Sequence, residues 1–432
     1  MNKNTLSIGF MLFAFFFGSG NLIFPPKLGF ESGEFFTPAI VAFILTGVGL
    51  PLLSLMIGAK YEGGYQSALA RIHPWFSVAL LVAIYLTLAP LFVIPRTGAV
   101  AYEMAVVPFL DMPNWISLLV FTLIYYALSL WLSLSPGKMI DRIGAVLTPV
   151  LLLTILSLIV MSLIILNANP VSTATPAYAD GAFFAGFLEG YNTMDVLAAV
   201  AFSGIVMNVI REKAGANANL FSQTTKAGLI ATFGLALIYL SLGWIGNHLP
   251  ISADEMAQIS NKGQNIGTFI LTQSAVLGFW SLGGVVLGLI ASLACLTTTV
   301  GLTVSASEYF YETFPKIGGV HLSYKSYVII FTLVGFVLAN QGLSAVISKS
   351  IPVLLVLYPI TMTAIALLGI HLLKPMPMIA QRVSLLFVAM VSILSVAGVN
   401  LPLKAYSMEW LPFAIVGFVV GFVFHKIARK KA

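Results

Sequence analysis

Apolar runs long enough to cross a bilayer follow one another along almost the whole chain. A transmembrane helix needs roughly 20 mostly apolar residues, and 59% of the 432 residues are hydrophobic. Only 8% are charged, against roughly 25% in a soluble domain. So little charge cannot cover so much apolar surface in water. The sequence therefore predicts an all-α membrane protein with no room for a soluble catalytic domain.

The chain accommodates about twelve transmembrane helices. We predict them at 5–28, 36–59, 75–107, 114–134, 142–166, 180–210, 224–247, 276–310, 324–340, 345–370, 382–400 and 408–427. The basic residues support this count, because cytoplasmic loops are enriched in Lys and Arg. With the N-terminus inside, Lys27, Lys262, Lys349 and Lys404 lie outside, Arg96 lies within a segment, and the other basic residues lie inside. Both termini are then cytoplasmic, and the net charge of +6 reflects these loops rather than affinity for nucleic acid.

Two of the predicted segments are longer than one crossing requires. The third and the eighth cover 75–107 and 276–310, so they must be tilted or extend beyond the hydrocarbon core. The loop before the eighth segment, 248–275, is the only loop long enough to form a lid.

Small and polar residues interrupt the first and the sixth segments. The interrupting residues are Gly18, Ser19, Gly20 and Asn21 in the first segment, and Glu189, Gly190, Tyr191, Asn192 and Thr193 in the sixth. Glycine-interrupted segments at matching places in two halves indicate an inverted-repeat transporter and its binding site. The alternatives are close helix packing by small residues in the first segment and a misplaced loop in the sixth.

An interrupted helix at mid-membrane leaves backbone groups without partners, and each costs several kcal/mol when it faces lipid. Such an interruption persists when a ligand, an ion or water satisfies those groups. The positive N-terminal end of a half-helix suits a carboxylate, and the freed carbonyls suit a cation. Two interruptions side by side can therefore hold both ends of an amino acid zwitterion and a sodium ion.

Ionisable residues inside apolar segments are candidates for function, because a charge within a membrane is costly. Arg96 and Glu103 lie on one face of the third segment. They pair with each other, or Arg96 pairs with Asp195 just after the sixth-segment interruption. We predict structural or gating roles for Arg96, Glu103 and Glu189, and a structural ion pair fits Arg96 as well as a direct substrate contact.

Three successive hydroxyls, those of Thr297, Thr298 and Thr299, lie in the apolar eighth segment. A helical hydroxyl usually bonds back to its own turn, but adjacent threonines and the carbonyls of a broken helix can also supply the oxygen ligands of sodium. Both interpretations fit the sequence. The chain shows no phosphate-binding loop, no metal-ligand cluster and no nucleophile–base pair. We therefore expect no organic cofactor and no enzymatic activity.

Taken together, these motifs resemble the bacterial branched-chain amino acid–cation symporter family. The resemblance covers nearly the whole chain and is carried by residues 9–26, 95–103, 190–195 and 294–310. It implies import of leucine, isoleucine and valine, driven by sodium or protons, across the bacterial cytoplasmic (inner) membrane. It also implies the fold of the amino acid–polyamine–organocation superfamily, with inverted repeats at 1–170 and 171–372 and two further helices at 373–432.

The resemblance also implies roles for particular residues. Those from Gly18 to Asn21 and from Gly190 to Thr193 fall on the substrate-binding breaks. Sodium falls between Gly18 of helix one and the three threonines of helix eight, although which two threonines face the ion stays open. The preferred substrate among the three, the choice of sodium or protons and the oligomeric state stay open as well.

We expect transport by alternating access. The substrate carboxylate meets backbone amides near Ser19 to Asn21, and the ammonium meets carbonyls, Asn192 or Asp195. Candidate walls of the apolar pocket are Phe16, Phe187, Tyr191 and Met194. The rival interpretations are a symporter of the same fold for another amino acid or a nucleobase, a membrane-embedded acyl or prenyl transferase, and a channel.

Overall fold

The computed structural model describes residues 3–134, 139–215 and 219–431, and helices make up almost all of this part. The helices of the first half are α1 (Lys3–Phe16), α2 (Ser19–Ser32), α3 (Phe36–Ile44), α4 (Leu50–Gly58), α5 (Gly64–Ile72), α6 (Pro74–Leu86), α7 (Val93–Ala105), α8 (Trp115–Ser133) and α9 (Met139–Leu166). A short turn of π-helix, Leu45–Gly49, joins α3 to α4. A second one, Thr87–Leu91, follows α6 and precedes α7.

The second half continues the helical pattern. Its helices are α10 (Pro176–Ala179), α11 (Ala182–Glu189), α12 (Asp195–Ala214), α13 (Leu220–His248), α14 (Ala253–Lys262), α15 (Ile266–Thr313), α16 (Tyr324–Ala339), α17 (Leu343–Leu373), α18 (Met378–Val396) and α19 (Trp410–Lys431). One small antiparallel hairpin, β1 (Lys316–Ile317) with β2 (Val320–His321), lies between α15 and α16.

Nine helical stretches in the described part are long and apolar enough to cross a membrane, or ten if the bent pair α11–α12 is one span. Three further apolar helices are shorter, namely Thr5–Phe16, Ile266–Trp280 and Tyr324–Ala339. Each of the twelve predicted segments has a helical counterpart. The count of nine is lower because Ser19–Gly58 qualifies as one stretch of 40 residues for two predicted segments, because α16 is short, and because α11 and α12 are bent.

The stretch Ser19–Gly58 contains two segments that run in opposite directions. Its first part, α2, runs parallel to α13: the Asn21 amide contacts the Tyr239 hydroxyl, and Gly246 lies against the carbonyl of Pro26. These contacts advance along both helices together. The predicted first segment is therefore α1 and α2 in succession, with α2 continuing to Ser32.

The second part of that stretch, α3 and α4, runs antiparallel to α13. Ile40 lies against Gly243 and Leu52 lies against Gly228, so the contacts move backwards along α13. The reversal occurs at Gly33, whose φ of +50° lies in a region that L side chains seldom adopt. A Cβ there would also stand within 2.4 Å of the backbone of Ala174.

The two long predicted segments are kinked rather than continuous. In the third, Pro90 lies in the π-turn, and Phe92 (φ −134°, ψ −52°) leaves helical geometry before α7 begins. In the eighth, Phe279 and Trp280 are non-helical and Trp280 has a φ of +55°. The stretch of α15 long and apolar enough to span a membrane is therefore Leu282–Thr313, which begins after Trp280 and not at 276. The predicted lid loop, 248–275, is largely helical because α14 and the start of α15 occupy it.

The last two helices lie at the edge of the bundle. Gly417 and Gly421 of α19 lie against Ser384 and Ala380 of α18, and a Cβ on either glycine would stand within 3 Å of the facing Cα atom. Small residues let helices approach this closely in a membrane. α19 is the most exposed of the candidate spans, because only 11% of its apolar stretch is buried. The buried core therefore lies among the remaining helices, where α1, α2, α7, α12, α13 and α15 meet.

Candidate functional site

The first helix breaks between α1 and α2. The amide of Phe17 still donates to the carbonyl of Phe13 over 2.8 Å, but Gly18 is extended (φ −120°, ψ −167°). The Gly18 amide turns to the side-chain oxygen of Asn21, at 2.9 Å. The last carbonyls of α1 and the first amides of α2 therefore have no continuous helix to bond to. The predicted break is confirmed, and close packing within an unbroken helix is not the explanation.

The sixth segment also breaks, in a different geometry. α11 ends at Glu189, a 3₁₀ turn spans Gly190–Thr193, and Met194 adopts a left-handed conformation with φ of +64°. α12 begins at Asp195, and the two helices are bent by 40°. Asn192 and Thr193 therefore lie inside a turn that is itself buried in the helical bundle, and the alternative of a misplaced surface loop is wrong.

The side chain of Asp195 joins the two breaks. Its Oδ2 accepts hydrogen bonds from the side-chain amide of Asn21 (Nδ2) at 2.8 Å and from the Tyr239 hydroxyl at 3.1 Å. All three side chains are buried, each 3% exposed or less. Tyr239 of α13 is a site residue that the sequence does not indicate, because it is one tyrosine within an apolar segment.

Arg96 bridges the same two breaks from a third helix. Its Nε donates to the Ser19 hydroxyl at 3.3 Å and its Nη1 donates to the carbonyl of Asn192 at 2.5 Å. A Cβ on Gly20 would stand 2.8 Å from Nη2, so the glycine leaves the space in which the guanidinium lies. The ring of Phe24 lies on another side, with its centroid 5.3 Å from Cζ.

Neither ion pair considered for Arg96 forms. Glu103 instead accepts hydrogen bonds at Oε2 from the Thr268 hydroxyl at 2.6 Å and from the Asn265 amide at 2.9 Å. Among the described residues, ion pairs within 4 Å join Lys27 to Glu31 and Glu189, and none joins Arg96 to a carboxylate. Arg96 and Glu103 lie seven residues apart on α7, which is about 10 Å along a helix axis, and residues at the start of α15 hold Glu103.

Glu189 lies at the start of the second break, where α11 ends. One carboxylate oxygen accepts from Lys27 at 2.8 Å and the other from the Asn192 amide at 3.2 Å. Lys27 also reaches Glu31, at 3.5 Å. This arrangement connects α2 to α11 beside the turn. The sequence indicates Glu189 and predicts Lys27 near the end of the first segment, 5–28, but gives no sign that the two side chains pair; α2 continues beyond that segment to Ser32.

The three threonines of α15 divide into two sets. The hydroxyls of Thr297 and Thr298 both donate to the carbonyl of Ala294, at 2.7 and 3.1 Å, and a Cβ on Gly18 would stand 3.5 Å from the Thr298 hydroxyl. Three oxygen atoms therefore gather beside the first break. Thr298 thus bonds back to its own helix and also lies beside the first break, so the two interpretations of the threonines do not exclude each other.

Thr299 faces away from the first break. Its hydroxyl donates to the carbonyl of Cys295 at 3.0 Å and contacts the hydroxyls of Thr97, at 2.5 Å, and Tyr125, at 2.8 Å. Successive residues of a helix point about 100° apart, so three adjacent threonines cannot face one point. Thr97 and Tyr125 are further polar residues that the sequence does not indicate.

The four predicted wall residues, Phe16, Phe187, Tyr191 and Met194, are all buried. Tyr191 stacks on Tyr358 with centroids 4.1 Å apart and meets Phe187 edge-on at 5.7 Å. Aromatic rings therefore surround the second break. Within the described residues no group of three or more His, Cys, Asp and Glu side chains could hold a metal ion.

Comparison with solved structures identifies the fold. The inward-facing conformation of Mhp1 aligns with a TM-score of 0.61 and 14% identity, covering 98% of this chain and 91% of that one. Mhp1, described as a nucleobase-cation-symport-1 family transporter, in a closed conformation with bromovinylhydantoin bound, aligns with a TM-score of 0.60 and 13% identity over 99% and 93%. These likenesses bear out the all-α transporter fold with inverted repeats.

Relatives with higher sequence identity identify the family. A protein of Staphylococcus saprophyticus named as a branched-chain amino acid carrier protein is 48% identical over 444 aligned positions, which cover 100% of this chain and 98% of the relative. A protein of Staphylococcus aureus with the same description is 47% identical, over 98% and 97%. Residues 1–428 match the family described as branched-chain amino acid transport protein. The chain therefore belongs to the branched-chain amino acid transport protein family.

Proposed function

We propose that this protein imports leucine, isoleucine and valine together with sodium, by alternating access across the bacterial cytoplasmic membrane. Family membership and the names of the carriers reported above support the substrate class. The observation that carries the coupled mechanism is the position of Gly18, which lies between Thr298 of α15 and Asn21 of α2. One residue of the break thus touches both candidate sites.

The substrate site lies between the two breaks. The first amides of α2, at Ser19 to Asn21, are the positive end of a buried helix and suit a carboxylate. Asp195 and the carbonyl of Asn192 lie across from them and suit an ammonium group. The aromatic rings around Tyr191 receive the apolar side chain. Because an apolar pocket separates side chains differing by one methylene by only about 10- to 200-fold, overlapping use of the three substrates follows.

The sodium site lies between the end of α1 and α15. Its ligands are the carbonyl of Ala294, the hydroxyls of Thr297 and Thr298, and carbonyls from the last turn of α1 up to Gly18. Each donor is a neutral oxygen, and hard cations favour oxygen ligands. A sodium ion bound there would hold α1 against α15 and fix the geometry of the first break, which in turn presents Asn21 to Asp195.

The orientation follows from charge. α19 ends in a basic tail, and an excess of Lys and Arg favours the cytoplasmic side. With the C-terminus inside and an even number of crossings, the N-terminus is inside as well. The Lys27–Glu189 pair then lies on the outer side of the breaks and the end of α15 on the inner side.

Uptake of labelled leucine into proteoliposomes tests the proposal, with a sodium gradient and a proton gradient imposed in separate experiments. We expect accumulation with the sodium gradient, suppressed by excess isoleucine or valine and unaffected by uracil or hydantoin. Accumulation with the proton gradient alone would replace sodium as the coupling ion. Suppression by the nucleobases, or no uptake by folded protein under either gradient, would contradict the proposed substrate.

A further inference from the structure

Arg96 is a buried cation with no described carboxylate within 4 Å, and Asp195 interacts with it only from a longer distance. It is 3% exposed, and its two protein hydrogen bonds go to neutral acceptors, the Ser19 hydroxyl and the Asn192 carbonyl. Nη2 donates to no acceptor among the described residues and lies against Gly20. Removing a charge from water without an opposite charge costs several kcal/mol, so this arrangement favours the arrival of an anion.

The carboxylates around Arg96 are already engaged elsewhere. Asp195 accepts from Asn21 and Tyr239, and Glu103 accepts from Thr268 and Asn265. Among the described residues, no ion pair within 4 Å joins either carboxylate to the guanidinium. An anion in direct contact with Nη2 would therefore come from outside the protein.

The position of the guanidinium defines what kind of anion fits. Nη2 lies over Gly20, in the first turn of α2, where the free amides of a 14-residue helix add positive potential. A planar guanidinium donates two parallel hydrogen bonds to a carboxylate. A carboxylate that approached Nη2 beside the start of α2 would therefore meet the Arg96 fork on one side and the backbone amides of Ser19 to Asn21 on the other.

We infer that Arg96 binds the carboxylate of the amino acid substrate and is the residue that selects for it. The inference rests on the proposed function and adds a side chain to a site otherwise made of backbone amides. When Nη1 turns to the substrate, it releases the carbonyl of Asn192, which becomes an acceptor for the substrate ammonium. One exchange of hydrogen bonds thus prepares both ends of the site.

The test compares leucine with leucinamide, in which a neutral amide replaces the carboxylate. Affinities come from the rise in the thermal unfolding midpoint of the purified full chain with ligand concentration, which detects weak as well as tight binding, at one fixed sodium concentration. We expect wild type to favour leucine by about 10- to 100-fold, the size of a hydrogen bond to a charged group.

In Arg96→Gln, the affinity for leucine should fall by about that factor, while the affinity for leucinamide should change by less than about threefold. The preference for leucine should then nearly disappear. Arg96→Lys keeps the charge without the fork and should retain an intermediate preference. Arg382→Gln is the matched control, since Arg382 donates to the carbonyl of Ile72 away from the breaks. This variant should keep the wild-type ratio.

Two results would overturn the inference. Equal weakening of leucine and leucinamide in Arg96→Gln would mean that Arg96 only holds the breaks together. An unchanged preference would mean that the carboxylate is recognised without it. If wild type bound no leucine at all, the proposed function would itself be wrong and this inference with it, whereas leucine binding with an unchanged ratio would reject the role of Arg96 alone.

Discussion

The two helix breaks lie at matching places in the two halves of the chain, yet they differ in construction. The first consists of Phe17 and Gly18, and it offers mainly backbone groups. The second is a four-residue turn closed by Met194 in a left-handed conformation. It brings Glu189 and Asp195 to its two ends. The internal repeat therefore sets where the helices break but not what chemistry each break presents.

The packing of the two breaks differs as well. A Cβ on Gly18 would meet Thr298 at 3.4 Å, an ordinary contact, whereas a Cβ on Gly190 would meet Thr46 at 2.7 Å. Thr46 also donates to the carbonyl of Phe187 at 3.0 Å. The second break is thus fixed against its neighbours, while the first has space beside α15. This contrast suggests that the second break serves as the reference against which an ion repositions the first.

Loss of the bond between the breaks should have the largest effect. We expect Asp195→Ala to lower leucine uptake by about 100-fold, because two hydrogen bonds to a buried acceptor are lost. Initial rates in proteoliposomes measure this. Tyr239→Phe removes one of the two bonds and should cost about 10-fold. Uptake by Asp195→Ala within about threefold of wild type would mean that the breaks act independently.

Adding one methyl group to each break should distinguish their packing. Gly190→Ala forces Thr46 to shift, and overpacking of this kind destabilises by about 1–3 kcal/mol. Gly18→Ala meets only ordinary contacts and should change stability by less than about 0.5 kcal/mol. Thermal unfolding in detergent measures both. Equal losses from the two substitutions would remove the contrast between a fixed and an open break.

Substitutions at the proposed sodium site test the role of the first break. Thr298→Ala removes an oxygen beside Gly18 and should raise the sodium concentration for half-maximal uptake by about 10-fold. Thr299→Ala is the matched control, because its hydroxyl faces Thr97 and Tyr125. It should leave the sodium dependence within about twofold. The opposite result would place the ion on the other face of α15.

The ion pair at the α11 end of the second break should contribute least to stability. Lys27→Gln removes a partly exposed ion pair with Glu189, and such pairs contribute about 1 kcal/mol or less. Salt screens them, so the difference in unfolding midpoint from wild type should shrink as choline chloride is added. Lys262→Gln is the control, since Lys262 donates only to the carbonyl of Leu110. A large loss that is insensitive to salt would indicate a deeper role for Lys27.

Local sequence patterns predict the interruptions but not the full extent of the helices. Gly18 and Asn21 disturb an apolar run, and Gly190 and Asn192 disturb another, so both breaks can be found from composition and spacing. The kink at Pro90 is also visible in principle, because proline lacks the amide donor that a helix needs. The reversal at Gly33 shows how α2 and α3 divide, and the predicted first segment, which ends at 28, stops four residues before the end of α2 at Ser32.

Local sequence patterns do not predict the hydrogen-bond partners of the polar side chains. Arg96 and Glu103 share a face of one helix, which favours pairing, but the structure gives them separate neutral partners far away in the chain. Asn265 and Thr268 bind Glu103, and Ser19 and Asn192 bind Arg96. Local spacing could not indicate these contacts, because they depend on how whole helices cross.

The sequence by itself determined the solvent and the architecture: a chain with 8% charged residues must place its apolar runs in lipid, and backbone groups inside lipid must bond within helices. It also determined where helices break, since glycine and asparagine act locally. Only the tertiary structure decided that Asp195 meets Asn21 and Tyr239, and that Thr298 rather than Thr299 faces Gly18. Those choices depend on helix rotation and crossing, which long-range packing fixes and no single segment encodes.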